Sequence, residues 1–273
     1  MIETKGLKFA YPGYSEVLRG IDLTINDREF VAIMGENGAG KTTLVKTFNG
    51  LLMPTAGTVR VDGVDTRDSS VARLSRDVGL VFQNPDHQLF SETVREELAF
   101  SLRNFSYKED TIERRVATIL ETLDLARYAE SSPFVLSGGE RKRVALAAVL
   151  VWNPKHIILD EPTIGQDYQQ KDRLRNFIIQ LNAQGKTVII ITHDVEFVAE
   201  CKPRIILLSK GLVIGDRPAE DLLTDGQLLE KASLTRPQIG QLMHQLRDFG
   251  LPERAIDVYS AEQAILQALR RKR

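Results

Sequence analysis

Five short apolar runs constrain the fold of this chain more than any other feature of its sequence. They are EFVAIM at 29–34, VGLVF at 78–82, HIILD at 156–160, TVIIIT at 187–192 and RIILL at 204–208. Each is continuous rather than alternating, and rich in β-branched residues. A strand reads this way when both its faces are buried, as in a parallel sheet covered by helices. Helix-like patterns lie between the runs, such as KTTLVKTFNG, where Gly50 suits the end of a helix. The segments IETKGLKFAY, LRGIDLTIN and GTVRVDG alternate instead, which marks antiparallel strands beside the parallel core. The predicted class is α/β, with a mainly parallel core sheet and an antiparallel β subdomain.

Residues 84 to about 151 contain no comparable run and read as a helical subdomain. Within it, TVREELAFSLRN carries a capping-box signature, Thr93 with Glu96, and apolar positions Val94, Leu98 and Leu102. From about residue 219 the character changes. TRPQIGQLMHQLRDFG predicts a helix opened by a Thr235/Gln238 capping box, with Ile239, Leu242, Met243, Leu246 and Phe249 on one face. SAEQAILQALRRKR repeats the pattern with Ser260 and Gln263 and ends in an exposed basic run. The division expected is a main domain over 1–218 and a small C-terminal helical appendage over 219–273.

Composition narrows the setting. The 273 residues are 42% apolar, enough for one large α/β domain with an appendage. Net charge is −1, from 36 basic and 37 acidic residues, so no global field favours nucleic acid or an anionic membrane. Cys201 is the single cysteine, which excludes an intrachain disulfide and fits a reducing compartment. The start MIETKGLKFAYPG lacks an apolar h-region, so no signal peptide is expected. The longest apolar run, VALAAVLVW at 144–152, is too short to span a bilayer. Work at a membrane would need other chains to supply the span.

The strands run out into polar residues. EFVAIM leads into Gly35, VGLVF into Gln83, HIIL into Asp160 and Glu161, and TVIIIT into His193. In open α/β sheets ligands bind at the carboxyl ends of strands, so these residues predict one site. GENGAGKT, Gly35 to Thr42, fits G-x-x-x-x-G-K-[ST] between a strand and a helix. Its glycines let backbone N–H groups face phosphate oxygens, Lys41 reaches the β- and γ-phosphates, and the Thr42 hydroxyl is a Mg²⁺ ligand. Asp160 at a strand end would hold Mg²⁺, and Glu161 beside it could polarise an attacking water. No strand ends in a guanine-reading motif, so ATP is favoured over GTP. FVLSGGERKRVALAA, residues 134 to 148, predicts a second anion cradle at a helix N-terminus. Its ERKR run at 140–143 reads as a solvated helix face, not a nucleic-acid patch.

In this order the motifs resemble the nucleotide-binding subunit of an ABC (ATP-binding cassette) transporter, over roughly residues 1 to 215. The P-loop, Gly35 to Thr43, includes Asn37, Gly38, Gly40, Lys41 and Thr42. Gln83 matches the Q-loop, LSGGE from Leu136 to Glu140 the signature, Asp160 and Glu161 the Walker B pair, IGQD ending at Asp167 the D-loop, and THD the switch His193. The resemblance implies a P-loop NTPase cassette that binds ATP and Mg²⁺. It places Tyr11 on adenine and Thr42, Gln83 and Asp160 on the metal. Glu161, His193 and Gln83 become catalytic. It also implies that two cassettes meet head to tail, so that Ser137, Gly138 and Gly139 of one chain close over the other's γ-phosphate. One chain would then need two anion cradles. Glu140 stands where Gln is commoner in the family, and Gln166 where Leu is usual.

Spacing narrows the branch. Gly35 and Ser137 lie only about a hundred residues apart with no heptad run between them, unlike the coiled-coil chromosome-maintenance ATPases. FQNPDHQLF, residues 82 to 90, resembles the Q-loop and Q-helix of energy-coupling factor (ECF) transporter ATPases. That resemblance implies an ATP-hydrolysing subunit on the cytoplasmic face of the cell membrane, driving uptake of a vitamin or transition-metal ion. The implied partners are a second ATPase subunit, a transmembrane coupling protein gripped through Asp86, Leu89 and Phe90, and a substrate-capturing membrane protein. The alternatives are a cassette of another importer class and a soluble non-transport ATPase, separable by which membrane proteins co-purify.

Overall fold

The computed structural model describes residues 1–271. Strands β1 (Ile2–Ala10), β2 (Glu16–Ile25) and β3 (Phe30–Gly35) lead into helix α1 (Lys41–Phe48), then β4 (Ala56–Val61), β5 (Val64–Asp65), α2 (Val71–Asp77) and β6 (Val78–Val81). Three helices come next without a strand: α3 (Val94–Asn104), α4 (Glu109–Thr122) and α5 (Gly138–Leu150). The chain returns through β7 (His156–Asp160), α6 (Tyr168–Ala183), β8 (Thr187–Ile191), α7 (Val195–Cys201), β9 (Arg204–Ser209) and β10 (Leu212–Pro218). It ends in α8 (Ala219–Leu222), α9 (Gly226–Lys231), α10 (Gln238–Gln245) and α11 (Val258–Arg271).

The five apolar runs are β3, β6, β7, β8 and β9, which together with β10 form a six-stranded sheet in the order β10-β9-β3-β8-β7-β6. All of its pairings are parallel except β10 with β9. The alternating segments form a second, antiparallel sheet in the order β2-β1-β4-β5. Register explains why the central runs are continuous. Ala32, Met34, Ile157, Leu159, Val188 and Ile190 face one core, shared with α3 to α7. Val31, Ile33, Ile158, Ile189 and Ile191 face a second core, shared with α1 and the antiparallel sheet. Each such strand is apolar on both faces because both are covered.

The same register aligns the strand ends. Val81 pairs with Leu159, Asp160 with Ile191, and Ile33 with Ile191, so β6, β7, β8 and β3 finish on one edge. Gly35 closes β3 against β9 with a φ of 145°, and a Cβ there would lie 2.1 Å from the Leu208 carbonyl oxygen. Gly79 does the same for the helical layer. A Cβ on it would meet Val149 Cγ1 at 2.4 Å, so α5 packs directly on β6.

At α3 only half of the expected capping box forms: the Glu96 N–H donates to Thr93 Oγ1 at 3.1 Å. Val94, Leu98 and Leu102 are buried as expected. The C-terminal caps differ from expectation. Pro237, extended at φ −58° and ψ 153°, precedes the first residue of α10, so Thr235 and Gln238 form no box. The Gln238 N–H is satisfied instead by Glu196 Oε1 at 2.8 Å. α11 begins at Val258, which puts Ser260 inside the first turn, where Asp257 caps it through both the Ser260 N–H and the hydroxyl. Ser260 with Gln263 is therefore not a cap pair. Nor do the five apolar residues of α10 share a buried face. Met243 is buried and Ile239 packs beside it, but α10 ends at Gln245, and Leu242 and Phe249 are exposed. Met243, Ala255 and Ala261 make a small core of their own, whereas Ala219, Leu222, Leu223, Leu229 and Ala232 join the main core. Of the basic run at the C-terminus, Arg270 is exposed, and Lys272 and Arg273 lie outside the described residues.

Candidate active site

The aligned strand ends bring the sequence motifs together. Residues 36 to 40 turn between β3 and α1, with Gly38 and Gly40 at φ 82° and 100°. The Gly40 φ is open to glycine alone without strain, and a Cβ there would meet Leu18 Cδ2 at 2.8 Å. Asn37 and Gly38 are exposed on the loop. Lys41, the first residue of α1, is buried, and its ammonium donates back to the Gly35 and Glu36 carbonyls at 2.8 and 2.9 Å. Burial pushes its pKa down, opposed by the nearby Glu161 and Asp160 carboxylates. An ammonium tucked inside a curled loop and held only by carbonyls is poised for an anionic ligand.

Thr42 Oγ1 donates to Asp160 Oδ2 at 2.9 Å, which joins the start of α1 to the end of β7. Asp160 is buried, and burial raises its pKa, with a further push from Glu161. Glu161 is also buried and adopts φ 48°, a left-handed conformation that a side chain tolerates only under constraint. Its N–H is pinned to the Ile191 carbonyl at 2.8 Å. His193 Nδ1 lies 2.9 Å from Glu161 Oε1. Thus one polar chain runs through this edge of the sheet: Thr42–Asp160 on one side, Glu161–His193 on the other. Asp160 Oδ1 and Glu161 Oε2 are buried with no hydrogen-bond partner. Such oxygens are rare unless a ligand, ion or water completes them. A Thr hydroxyl with two carboxylate oxygens is a hard-donor set that fits Mg²⁺. The Tyr11 ring, packed edge-on to Phe9, reaches over the loop with its hydroxyl 3.3 Å from Thr43 Oγ1.

The signature lies away from the P-loop, on a cleft that it shares with Asp160 and Glu161. Ser137 caps α5, and Ser137, Gly139 and Glu140 line a cleft of about 550 Å³ with Gln83, Asp160, Glu161 and Gln166. None of residues 35–43 lines it. Gly138 begins the helix, with open space where a Cβ would be. Asp167 caps α6, its carboxylate accepting the Gln170 N–H at 2.8 Å. The expected site residues therefore divide into two groups. Tyr11, the P-loop, Asp160, Glu161 and His193 meet at one place. Ser137, Gly138 and Gly139 lie together at the start of α5, and Gln83 lines the cleft that Ser137 and Gly139 share with Asp160 and Glu161.

Two expectations are overturned. Leu89 is 4% exposed and packs in the main core, while Phe90 is 58% exposed, so they cannot act as a paired grip. ERKR is not a solvated face. Arg141 pairs with Asp86 at 2.9 Å, and the half-buried Lys142 donates to the Ile164 carbonyl in the D-loop. Sequence reasoning also missed Gln88, whose amide joins the Phe82 N–H to the Ala145 carbonyl at 3.1 and 2.7 Å. It missed Lys171, which pairs with Asp194 beside His193 at 2.6 Å. Each of these joins residues far apart in the chain, and short-range periodicity carries no trace of such links.

Residues 18–164 match the family model described as ABC transporter. The chain is 41% identical over 252 residues to the energy-coupling factor transporter ATP-binding protein EcfA of Methanothermobacter thermautotrophicus, covering 92% of this chain and 81% of that one. It is 40% identical to EcfA of Methanoculleus marisnigri, with 97% and 95% covered. Among solved structures, cbiO1 of Clostridium perfringens, part of the ABC transporter complex cbiONQ, superposes with a TM-score of 0.76 at 34% identity, covering 89% of this chain and 98% of that one. A dimeric ATP-binding cassette in a post-hydrolysis state, bound to ADP and Pi, gives a TM-score of 0.72 at 30% identity, with 80% and 99% covered. Family match, relatives and fold agree with the clustered Walker residues: this chain is an ATP-binding, ATP-hydrolysing enzyme of the ABC transporter family, of the energy-coupling factor type.

Proposed function

We propose that this chain powers a membrane importer of the ECF type from the cytoplasmic face, as one of two cassettes that close head to tail on ATP. The observation that carries the reading is the polar chain at the strand ends, Thr42–Asp160 and Glu161–His193, beside a loop whose buried Lys41 is held by carbonyls alone. Lys41 would exchange its bonds to the Gly35 and Glu36 carbonyls for phosphate oxygens, and loop N–H groups from Asn37 to Thr43 would complete the cradle. Tyr11 would stack on adenine. Thr42, Asp160 and Gln83 would hold Mg²⁺, which when bound draws charge from the phosphates. Glu161 would accept a proton from the attacking water. His193, tied to Glu161 through Nδ1, keeps that carboxylate in place and offers its other ring nitrogen towards the γ-phosphate. Ser137, Gly138 and Gly139 would close on the partner cassette's γ-phosphate, with Asp167 and its loop at the dimer contact. Vitamins or transition-metal ions are the cargo this branch suggests, captured by a separate membrane protein. No helix among the described residues is long and apolar enough to cross a membrane, so coupling would run through a second chain.

The test is Glu161→Gln. The amide keeps the size and the bond to His193 but cannot take a proton. Turnover is expected to fall by ~10²–10⁴-fold, with ATP binding intact and an ATP-held dimer accumulating. Steady-state hydrolysis at the wild-type rate would remove Glu161 from this role.

A further inference from the structure

The second anion cradle already holds an anion of its own. At the first turn of α5, Glu140 Oε2 accepts from the Ser137 N–H at 2.9 Å and from the Ser137 hydroxyl at 2.7 Å. Ser137 Oγ in turn accepts the Glu140 N–H, which completes a capping box. The other carboxylate oxygen, Oε1, takes the hydroxyl of Tyr128, from the turn after α4. Bonds from Ser137 and Tyr128 hold the Glu140 pKa down at about 2, so the group is charged at any working pH. A serine hydroxyl has one proton. While it donates to Glu140 it cannot donate to a phosphate, and a fixed carboxylate at the mouth of the cradle repels an incoming one.

We propose that Glu140 is a built-in occupant of the signature cradle, which the partner cassette's γ-phosphate must displace before the two cassettes close. The inference rests on the reading of Ser137 as that phosphate's donor. Glu140 touches no reacting atom and acts through Ser137, so it is a positioning residue. It sets the ATP concentration at which closure occurs, and Tyr128 sets how firmly it is held. A cassette with this latch stays open at nucleotide levels that would already fill its P-loop, which keeps binding and closure separate events.

Glu140→Gln tests this without removing the cap, because a glutamine at this position accepts the same Ser137 N–H through its amide oxygen. The measurement is ATP-driven dimerisation in a Glu161→Gln background, by sedimentation across an ATP titration. It is paired with calorimetric ATP affinity of the monomer and thermal unfolding. Glu140→Gln is expected to lower the half-maximal ATP concentration for dimerisation at least threefold, with monomer affinity and melting temperature unchanged. Tyr128→Phe should shift it the same way by a smaller factor. A threshold that is unchanged or raised by Glu140→Gln makes Glu140 a simple helix cap and overturns the proposal. Ser137→Arg in the same background separates the two readings. If it blocks dimerisation while Glu140→Gln does nothing, the displaced-carboxylate inference fails and the signature reading stands. If dimerisation tolerates Ser137→Arg, or never responds to ATP, both fail.

Discussion

At Asp160 a carboxylate is held in a place that suits a ligand better than it suits the fold alone. It is buried, one oxygen has no partner, and the Glu161 carboxylate is its neighbour. Removing its charge should therefore stabilise the nucleotide-free protein. Asp160→Asn keeps the acceptor for Thr42, and is expected to raise stability by ~1 kcal/mol, the usual return for relieving a strained functional group. The sign with pH comes from the raised folded-state pKa. Below the ordinary 3.8 both folded and unfolded chains carry a neutral Asp160, so the penalty is absent. It builds as pH rises from 3.8 to the folded value and is complete above it. The Asn variant should gain at neutral pH and lose that gain in acid, by thermal unfolding across pH. With Mg²⁺ and ATP present the order should reverse, because only the carboxylate then finds its cation. A variant no more stable than wild type at neutral pH would show that the fold already compensates the charge. That the P-loop, Asp160, Glu161 and His193 would come together was legible in the sequence, because a fixed P-loop spacing and polar residues at strand ends point to one edge of the sheet. The positive φ of Glu161 was not, since nothing local marks a glutamate that a distant Ile191 carbonyl holds in place.

The segment from Phe82 to Phe90 shows what the sequence could not settle at the scale of elements. Pro85 holds Asn84 extended and starts one 3-10 turn, as its chemistry dictates. The rest is decided by neighbours. Gln88 binds the Ala145 carbonyl, Asp86 pairs with Arg141, and buried Glu97 accepts the N–H groups of Phe90 and Ser91 at 2.9 and 2.7 Å. The Asp86–Arg141 pair is partly exposed and contributes little by itself. With Gln88 and Leu89 it makes the segment part of the α5 layer rather than a free handle. Phe90 remains outside, edge-on to the exposed Phe100 at 4.7 Å. The two neighbouring residues should thus separate cleanly on mutation. Leu89→Ala empties a core position and is expected to cost ~2–5 kcal/mol, lowering the melting temperature by several degrees. Phe90→Ala should leave the melting temperature within about a degree, yet weaken capture by the transmembrane coupling protein about tenfold or more, as loss of an aromatic anchor does. Pull-down and thermal unfolding of each single variant decide this. A Phe90→Ala protein that still assembles fully with its membrane partner would move the docking surface elsewhere.

At the scale of the whole molecule the chain carries two segments read from sequence as anion cradles, and its own folding does not bring the P-loop into the cleft lined by Ser137 and Gly139. Buried strand runs made the sheet legible, and the shortness of the longest apolar run anticipated that no helix among the described residues is long and apolar enough to cross a membrane. The C-terminal residues were less legible because their caps depend on contacts: Glu196 replaces the expected box at α10, and Asp257 replaces it at α11. The separation of cradles has a consequence that mixed subunits can expose. Lys41→Ala disables the loop that binds nucleotide, and Ser137→Arg fills the signature cradle. If two cassettes close head to tail as proposed, both composite sites carry a lesion in a dimer of either variant alone, because each site would take its loop from one chain and its signature from the other. In a mixed dimer the geometry sorts the damage. One site receives the mutant loop and the mutant signature together, and the other receives two intact halves. If the chain pairs with itself and the sites fire independently, random mixing gives intact sites at about a quarter of the wild-type number, since half the dimers are mixed. ATPase activity of the mixture should rise towards that fraction while each variant alone stays near background. Subunit exchange is checked by tagging one variant and recovering the other with it. Mixtures that exchange fully and still show only the sum of the separate activities would mean that each chain completes its own site, or that one lesion silences both sites at once.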